Sequence, residues 1–417
     1  MDARDWRNAG LLQFASGNYT TAIASFLRAR ARGETGANFH VELALAFWKA
    51  GDEQSALREL AAAQGIEKTF EVCATVAKIM AETGDHEASV KWISRAIELQ
   101  PDRRELRFHR AMQMLLAGDW LGGWQEYEAR QEFLPMDFPA TGVPLWKGEP
   151  LGGKFLWVTY EQGMGDQIMF MRYLPWLRAK ASSLYFDSHP ELADFSFAMD
   201  IPTRTMAGAG SYKVPVHEAT QRRPDYMIPL MSLPALHKTT PDNMLPPYPG
   251  FRIASKPYTV NLGGEPGKKK IGLVWGGNKN HPNDALRSMP FNELVPLCGD
   301  DRCEFYSFQA NDRGEDIEKC GAELLVHRMS LRGWMHTCAA LKHMDMLVSV
   351  DTACAHMAAS LGIKTVMMLA QDCDYRWGGT GETTPWYPAM TLVRQERRGD
   401  WRGVVRKVMT ELEELHG

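Results

Sequence analysis

The sequence lacks several features that would place its 417 residues in a specialised class of protein. No apolar run reaches the roughly 18 residues that a membrane-spanning helix needs. The first ten residues contain no basic stretch followed by an apolar one, so a secretory signal is not expected. The formal net charge is only −4. That balance gives no reason to expect nucleic acid or an anionic membrane as a partner.

Metal-binding and disulfide patterns are missing as well. The chain has seven cysteines, no two of which form a C-x-x-C pair, and an odd number suits reduced thiols. No zinc-spaced cluster, Walker loop or Ser–His–Asp order stands out. These absences predict a cytoplasmic protein that needs neither a metal nor a resident cofactor. Hydrophobic residues make up 45% of the chain, which is enough for two or three packed domains.

A repeat fills the first third of the chain. Glycine followed by Asn or Asp recurs at Gly17, Gly51, Gly84 and Gly118, at spacings of 34, 33 and 34 residues. Each turn precedes an Ala-rich amphipathic pattern, and the third pattern ends at Pro101, where a helix must stop. A small residue in such a turn lets two helices approach closely. The period predicts a tetratricopeptide-type array of paired helices over residues 1–140.

Such an array presents a concave surface that usually holds a peptide or a protein. The sequence therefore favours a protein or peptide partner in the groove of the array. Two simpler roles stay open, because a fold alone does not fix function: the array supports the rest of the chain, or it mediates self-association.

The pattern changes after a proline-spaced stretch that contains Pro135, Pro139, Pro144 and Pro150. Short apolar runs then alternate with helical patterns, which indicates parallel sheets. The predicted strands are 154–160, 183–186, 226–229, 270–275, 303–308, 346–350 and 365–369. The Pro- and Gly-containing segment 241–270 resembles a linker. We therefore predict two Rossmann-like domains facing a cleft, 141–260 and 261–417, the second ending in an amphipathic helix from residue 401 to 415.

The first candidate site lies at a strand-to-helix junction, where Gly163, Gly165 and Asp166 occur together. Small residues at a helix N-terminus let a ligand approach free N–H groups. A dinucleotide fingerprint is a weak interpretation, because Ile168 occupies the third glycine position. Asp166 has two predicted uses, as a helix cap or as a general base at the edge of the cleft.

The second candidate site is a buried strand that runs directly into a helix. Ser349 lies on the strand, and Thr352 and Ala353 offer backbone N–H groups at its carboxyl end, where open α/β sheets bind ligands. A pyrophosphate would be stabilised there by the helix dipole. Asp351 caps the helix, organises the loop or touches a donor hydroxyl. His356, one turn into the helix, would ordinarily be a packing residue.

The third candidate site follows the strand that ends at Trp275. Gly276, Gly277 and Asn278 form the start of a polar loop, in which Arg287 offers a charge-assisted fork for a phosphate. Solvated loop positions are the simplest interpretation of His281 and Asp284, and we favour it for His281. The same loop ends with Ser288.

Taken together, these blocks resemble bacterial tetratricopeptide-repeat glycosyltransferases whose catalytic region is heptosyltransferase-like (GT-B, family 9 type). The resemblance runs from about residue 145 to the C-terminus. Its motifs are Tyr-Glu-Gln-Gly-Met-Gly-Asp-Gln (160–167), Arg-Tyr-Leu-Pro (172–175), Ile-Gly-Leu-Val-Trp-Gly-Gly-Asn (271–278), Asn-Asp-Ala-Leu-Arg-Ser (283–288), Val-Ser-Val-Asp-Thr-Ala-Cys-Ala-His-Met-Ala (348–358), Tyr-Arg-Trp (375–377), Pro-Trp-Tyr-Pro (385–388), Arg-Gln (394–395) and Gly-Asp-Trp (399–401).

The resemblance implies a GT-B fold and metal-independent, inverting transfer of a sugar from a nucleotide-sugar donor to an acceptor in the cleft. Asp166 matches the base that is proposed for the family. The acceptor would be a protein Ser or Thr hydroxyl recruited by the array, since related repeat-bearing enzymes include flagellin glycosyltransferases. The implied donor-binding residues are Gly163, Gly165, Trp275, Gly276, Gly277, Asn278, Arg287, Ser288, Gln309, Ser349, Asp351, Thr352, Ala353 and His356.

This chain departs from the family pattern in two places. The first Rossmann-like domain is short, and Gly378-Gly379 follows Arg-Trp where the family usually has an apolar residue. Two other functions stay open: a repeat scaffold or adaptor without catalytic activity, and a sugar-nucleotide epimerase. An epimerase needs no acceptor, and a small-molecule enzyme has little use for a peptide groove.

Overall fold

The computed structural model describes residues 1–133, 142–205, 214–217, 220–256, 258–281, 283–310, 313, 315–323 and 325–416. The chain forms two compact units, Met1–Leu134 and Pro135–Gly417. Pro135, Pro139 and the predicted domain boundary at 140/141 lie outside the described residues. Within those ranges, no helix is both long and apolar enough to cross a membrane.

The first unit is entirely helical. Its helices pair in sequence order, α1 with α2, α3 with α4, α5 with α6 and α7 with α8. Their bounds are α1 Ala3–Ala15, α2 Tyr19–Arg30, α3 Ala37–Lys49, α4 Glu53–Ile66, α5 Phe70–Glu82, α6 His86–Leu99, α7 Glu105–Leu116, α8 Trp120–Tyr127 and the single turn α9 Arg130–Phe133. The four pairs coincide with the four predicted repeats, so the helical array is confirmed.

The recurring glycine has a different cause from the one that we expected. All four turn glycines have φ between +76° and +87°, and a Cβ on any of them would meet nothing within 4 Å. Close helix approach therefore does not require glycine here, whereas the left-handed backbone does. In the third turn the N–H of Asp85 donates to the carbonyl of Met80 over 2.9 Å, and the Asp85 carboxylate caps α6 by accepting from Ala88.

Replacing Gly84 by Ala should weaken the third helix pair. An Ala at φ +84° is strained by about 1–2 kcal/mol, whatever space surrounds it. Hydrogen exchange should therefore show faster opening of α5 and α6. Gly65→Ala is the matched control, since Gly65 lies inside α4 with open space around it, and it should slow opening of α4. Equal exchange in the Gly84 variant and the wild type would contradict this explanation of the period.

The second unit contains two parallel sheets. Residues 142–256, the first half, carry a four-stranded sheet in the order β3-β2-β1-β4, in which every neighbouring pair is parallel. Its elements are β1 Phe155–Thr159, α10 Met164–Phe170, α11 Leu174–Arg178, β2 Ser183–Ser188, α12 Ala193–Phe197, β3 Thr203–Thr205, β4 Tyr226–Pro229, α13 Leu233–His237 and α14 Gly250–Ala254.

Residues 258–416, the second half, carry a six-stranded parallel sheet in the order β10-β9-β8-β5-β6-β7. Its elements are β5 Lys269–Val274, α15 Asp284–Arg287, α16 Val295–Cys298, β6 Cys303–Ser307, α17 Glu315–Lys319, β7 Val326–Arg328, α18 Trp334–Leu341, β8 Met346–Val350, α19 Ala353–Leu361, β9 Lys364–Leu369, β10 Met390–Arg394 and α20 Trp401–His416. Every residue of β6 and β8 is buried, as expected for parallel strands covered on both faces.

The predicted fold class, a tetratricopeptide-type array followed by two Rossmann-like halves in the GT-B layout, is confirmed. Three strands were not predicted: β3, β7 and β10. The predicted linker 241–270 is not a plain linker, because it contains α14, whose Phe251 is fully buried. The predicted division at 260/261 falls between the two sheets and stays a prediction.

Candidate functional site

Helices α10 and α19, one from each half, pack against each other beyond the carboxyl ends of β1 and β8. A Cβ on Gly165 would lie 3.1 Å from Cδ2 of His356 and 3.7 Å from Cα of Ala353. The fold thus brings together three residues that were predicted in two separate blocks. The space that glycine leaves at position 165 is occupied by the imidazole of His356.

His356 is a buried, neutral packing residue. Its side chain is 4% exposed, and its Nδ1 lies 2.9 Å from the hydroxyl of Tyr387. Burial, with smaller contributions from Arg376 and Arg172, lowers the pKa of His356 to about 3. Its Nε2 lies 3.8 Å from Oδ1 of Asp351, which is too long for a hydrogen bond, and a neutral ring forms no ion pair there.

Tyr387→Phe should destabilise the second unit without removing a charge. The variant leaves Nδ1 of His356 without the 2.9 Å partner that it has in the wild type. Leaving a buried polar group unsatisfied costs about 1–3 kcal/mol. We expect a lower melting temperature for the second unit, whereas Tyr258→Phe, at a residue 46% exposed, should leave it unchanged. Equal losses in both variants would show that the contact between Tyr387 and His356 has no stabilising role.

Asp166 stabilises the start of α10 and also reaches the second half. Its Oδ2 accepts from the N–H of Gly163 over 2.9 Å. Because Gly163 is the N-cap residue and Asp166 is the third residue of the helix, this contact is half of a capping box and not the predicted N-cap. Its Oδ1 pairs with Nη2 of Arg376. Burial raises the pKa of Asp166, the cation of Arg376 opposes that rise, and the charges of Asp374 and Glu161 add to it.

Arg376 lies in the single helical turn Tyr375–Trp377, in the loop that follows β9, and it was not among the predicted site residues. Its Nη1 is 2.5 Å from Oδ1 of Asp374, its guanidinium carbon is 4.6 Å from the ring centre of Tyr375, and its side chain is only 9% exposed. The available signal was the position of Asp374-Tyr375-Arg376 beyond the carboxyl end of a parallel strand, where polar side chains gather around ligands.

Arg172 makes a second connection between the halves. It donates to the carbonyls of Met169, Leu245 and Trp386 over 2.8, 2.9 and 3.0 Å, and its guanidinium lies 5.1 Å from the ring centre of Tyr387. The side chain is almost fully buried. Because Trp386 belongs to the second half, Arg172 holds the loop before β10 against the first half.

Asp351 organises a loop, which was one of its predicted uses. Its Oδ2 accepts from the indole N–H of Trp377 over 3.0 Å. Burial, followed by the charge of Asp374, raises the pKa of Asp351 to about 6, against the opposing effects of Trp377, Arg376 and Arg287. Asp351 does not cap α19, whose N-cap residue is Thr352.

The N-cap side chain of α19 does not use the backbone N–H groups at the start of that helix. The hydroxyl of Thr352 lies 3.0 Å from the hydroxyl of Ser349, and the Thr352 side chain makes no capping hydrogen bond. The first N–H groups of an α-helix have no partner within the helix. Ser349 is fully buried, so its side chain contacts Thr352 from the protein interior instead of facing a ligand.

A buried tryptophan and the amide group of Gln309 fix the loop after β5. Trp275 is fully buried, with its ring 4.7 Å from that of Phe291, so its side chain belongs to the core. The amide oxygen of Gln309 accepts from the N–H groups of Trp275 and Gly276 over 3.0 and 2.9 Å, and its amide nitrogen donates to the carbonyl of Gly276. Gln309 therefore fixes the loop instead of presenting its amide to a donor. Asn278, the next predicted residue, is exposed.

Two arginines lie against this loop, with one carboxylate between them. A Cβ on Gly276 would come within 2.6 Å of Arg313, and one on Gly277 within 2.9 Å of Arg287, so a side chain at either position would displace the arginine that lies against it. Asp284 pairs with Arg313 and lies 4.0 Å from Nε of Arg287. Asp284 is 8% exposed, which shows that a solvated loop position is the wrong interpretation for it.

Two arginine N–H groups beside the same loop lack a hydrogen-bond acceptor. Nε of Arg287 and Nε of Arg313 are buried without a hydrogen-bond acceptor. Ser288 links the loop to the pair, because its hydroxyl accepts from the N–H of Gly277 and donates to Asp284. Buried guanidinium N–H groups that lack an acceptor are suited to an anion. Arg313 was not predicted, whereas His281 is exposed, as expected.

The Gly378-Gly379 departure has a structural reason at its first residue. Gly378 has φ +68° and ψ 168°, a backbone conformation that residues other than glycine rarely adopt. The loop is nevertheless held firmly, since Arg394 donates to the carbonyls of Trp377 over 2.5 Å and Gly381 over 3.1 Å. Gly378 thus allows the turn that follows Arg376 and Trp377.

No known family model matches this chain. Protein FlbA of Caulobacter vibrioides is 27% identical over 340 residues, which cover 75% of this chain and 56% of FlbA. The chain therefore spans just over half the length of that relative. Among solved structures, E. coli heptosyltransferase WaaC with ADP-2-deoxy-2-fluoro heptose aligns with 62% of this chain and 99% of its own, at 12% identity and a TM-score of 0.44.

The helical unit has its own similar structures. YrrB, a TPR protein with an unusual peptide-binding site, aligns with 32% of this chain and 70% of its own, at 18% identity and a TM-score of 0.29. MamA aligns with 31% of this chain and 75% of its own, at 15% identity and a TM-score of 0.28. At identities below 20%, none of these structures indicates an activity for this chain.

Proposed function

We propose that this protein is a glycosyltransferase that moves a sugar from a nucleotide-sugar donor to an acceptor hydroxyl. The observation that carries the proposal is the pairing of a partly buried carboxylate, Asp166, with the guanidinium of Arg376, next to the contact between Gly165 of α10 and Ala353 at the start of α19. This combination offers a base and an anion site within one region. The motif resemblance to heptosyltransferase-like enzymes supports the same chemistry.

The donor diphosphate would bind in the second half. The free N–H groups and the positive end of α19 suit a phosphate, and Arg287 and Arg313 carry unsatisfied N–H donors beside the neighbouring strand β5. Charged donors of this kind stabilise the negative charge that grows on the leaving group. The proposed reaction uses no metal ion.

The proposed step is an inverting displacement at the anomeric carbon. A lone pair of the acceptor oxygen forms the new C–O bond while the bond from that carbon to the diphosphate oxygen breaks. The electron pair of the broken bond leaves with the nucleoside diphosphate, and the acceptor proton passes to Asp166. A carboxylate whose pKa is raised by burial is a better base than an exposed one.

The acceptor is proposed to be a protein Ser or Thr hydroxyl, with a flagellin-type protein as one candidate. The repeat array supports this choice, because extended ligands suit such arrays. An acceptor held by the array is tethered to the catalytic unit, which raises its local concentration near Asp166.

Binding and product analysis test this function. Four nucleotide sugars, UDP-N-acetylglucosamine, GDP-mannose, ADP-glucose and dTDP-glucose, would be compared by calorimetry, and intact mass would then be measured on proteins that co-purify with the chain. A mass increase of one sugar in a partner protein supports transfer. Conversion of the sugar without any acceptor would favour the epimerase, and failure of all four to bind would favour the inactive scaffold.

A further inference from the structure

The guanidinium of Arg376 is shared between two carboxylates from different halves. Nη2 pairs with Asp166 of the first half, and Nη1 lies 2.5 Å from Asp374 of the second half. Asp166 has its other oxygen on the N–H of Gly163. In this state, each oxygen of the proposed base already accepts a hydrogen bond.

The backbone that carries Arg376 is fixed, so any adjustment falls on its side chain. The Asp374 carboxylate accepts from the N–H of Arg376 over 3.1 Å and so caps the turn. Trp377, the next residue, is held by Asp351 through its indole N–H and by Arg394 through its carbonyl. A long side chain on a fixed turn is able to change partners without any movement of the sheet.

Arg376 also belongs to the proposed donor site. Its charge, together with that of Arg287, acts on the carboxyl group of Asp351, and Asp351 immediately precedes the N-cap of α19. Three carboxylates therefore gather around Arg376: those of Asp166, Asp374 and Asp351. A dianionic diphosphate entering this region needs a guanidinium partner, since it would otherwise meet like charges.

We propose that Arg376 changes partner when the donor binds, leaving Asp166 for the donor phosphates, so that Asp166 becomes an available base only with the donor in place. This inference rests on the proposed function. Arg376 is then a positioning residue that makes binding ordered, donor before acceptor. The exchange makes and breaks only ion pairs and transfers no proton by itself.

The exchange has a definite effect on proton binding. A neighbouring guanidinium favours the ionised form of a carboxylate, so its departure raises the pKa of Asp166 further above the ordinary value. Donor binding at a pH near the raised pKa of Asp166 should therefore be accompanied by proton uptake, whereas at higher pH Asp166 stays ionised and is able to act as the base. The other charged or titratable groups that act on or lie near this pair are Asp374, Glu161, Asp351, His281 and the neutral His356. The diphosphate of a nucleotide sugar stays ionised at these pH values.

Calorimetry in two buffers of different ionisation enthalpy measures that uptake without an acceptor. The probe is whichever of the four nucleotide sugars binds the wild type most tightly. We expect proton uptake in the wild type and clearly less in Asp166→Asn, which keeps an oxygen for the N–H of Gly163 but cannot titrate, so that Asp351 is the remaining carboxyl group with a raised pKa. Arg376→Gln should bind the probe about tenfold or more weakly and show little uptake, and Arg376→Lys should recover part of the affinity.

The outcomes separate the two proposals. Arg402→Gln is the control, because Arg402 is 80% exposed and pairs with Glu293 instead of with these groups, and it should match the wild type in affinity and uptake. Uptake in Asp166→Asn as large as in the wild type, or unchanged affinity in both Arg376 variants, would overturn the exchange while leaving donor binding intact. If no nucleotide sugar binds the wild type, the proposed function fails and the exchange fails with it.

Discussion

Asp166→Asn is expected to abolish most of the transfer activity while donor binding is retained. Asn keeps an oxygen that accepts the N–H of Gly163, as Oδ2 of Asp166 does over 2.9 Å, so α10 should stay capped. It cannot take a proton at ordinary pH, and loss of a general base lowers kcat by about 10²–10⁴-fold. Donor affinity should be equal or tighter, because the carboxylate that competes for Arg376 is gone. Single-turnover rates with saturating donor and protein acceptor measure the effect.

A matched control separates chemistry from the loss of a negative charge. Asp200 lies in the same half and is 98% exposed, so Asp200→Asn makes the same substitution at a solvent-exposed position and should leave kcat unchanged. If Asp166→Asn transferred sugar at the wild-type rate with its donor affinity intact, another residue would have to be the base.

Arg287→Ala is expected to weaken donor binding more than any other single change in the loop after β5. Arg287 lies against Gly277 and has a buried Nε without an acceptor. A hydrogen bond to a charged group contributes about 1.5–3 kcal/mol, which corresponds to a Kd increase of roughly 10- to 100-fold. Calorimetry with the best-binding nucleotide sugar measures this increase, and kcat at saturating donor should change less than Kd.

Two further variants sharpen that experiment. Arg287→Lys keeps the charge but loses the planar fork, so it should recover only part of the affinity. Arg402→Ala removes an arginine that is 80% exposed and should leave Kd unaltered. An unaltered Kd in Arg287→Ala would remove Arg287 from the donor site and leave Arg313 as the arginine beside this loop.

Elements that follow from local sequence were predicted well. The strands 226–229 and 346–350 have the bounds that were predicted, because a short apolar run between turn residues fits only a buried strand. Strand β7 escaped prediction, since it has three residues of which only Val326 is buried. The amphipathic pattern of residues 168–177 predicts one helix, but α10 ends at Phe170 and a tight turn at Met171–Tyr173 precedes α11.

The positions of the three candidate blocks on the sheets follow from the sequence, but the contacts between their side chains do not. The Gly-Asp block, the Asp-Thr block and the Arg287 loop each lie beyond the carboxyl end of a parallel strand, which the alternation of strands and helices implies. The pair between Asp166 and Arg376 joins residues 210 positions apart. The burial of Asp284 likewise depends on Arg313, from a different loop.

The sequence by itself determined the repeat array, the two parallel sheets and the edge at which their polar residues gather. These properties depend on local φ preferences and on the period of hydrophobic residues, and residues close together in the sequence set both. Only the tertiary structure decided which charges meet, because an ion pair between two sheets depends on how the halves pack. That packing turned Asp166 from an open cleft residue into the partner of Arg376. Packing within the second half placed Trp275 and Ser349 inside its interior.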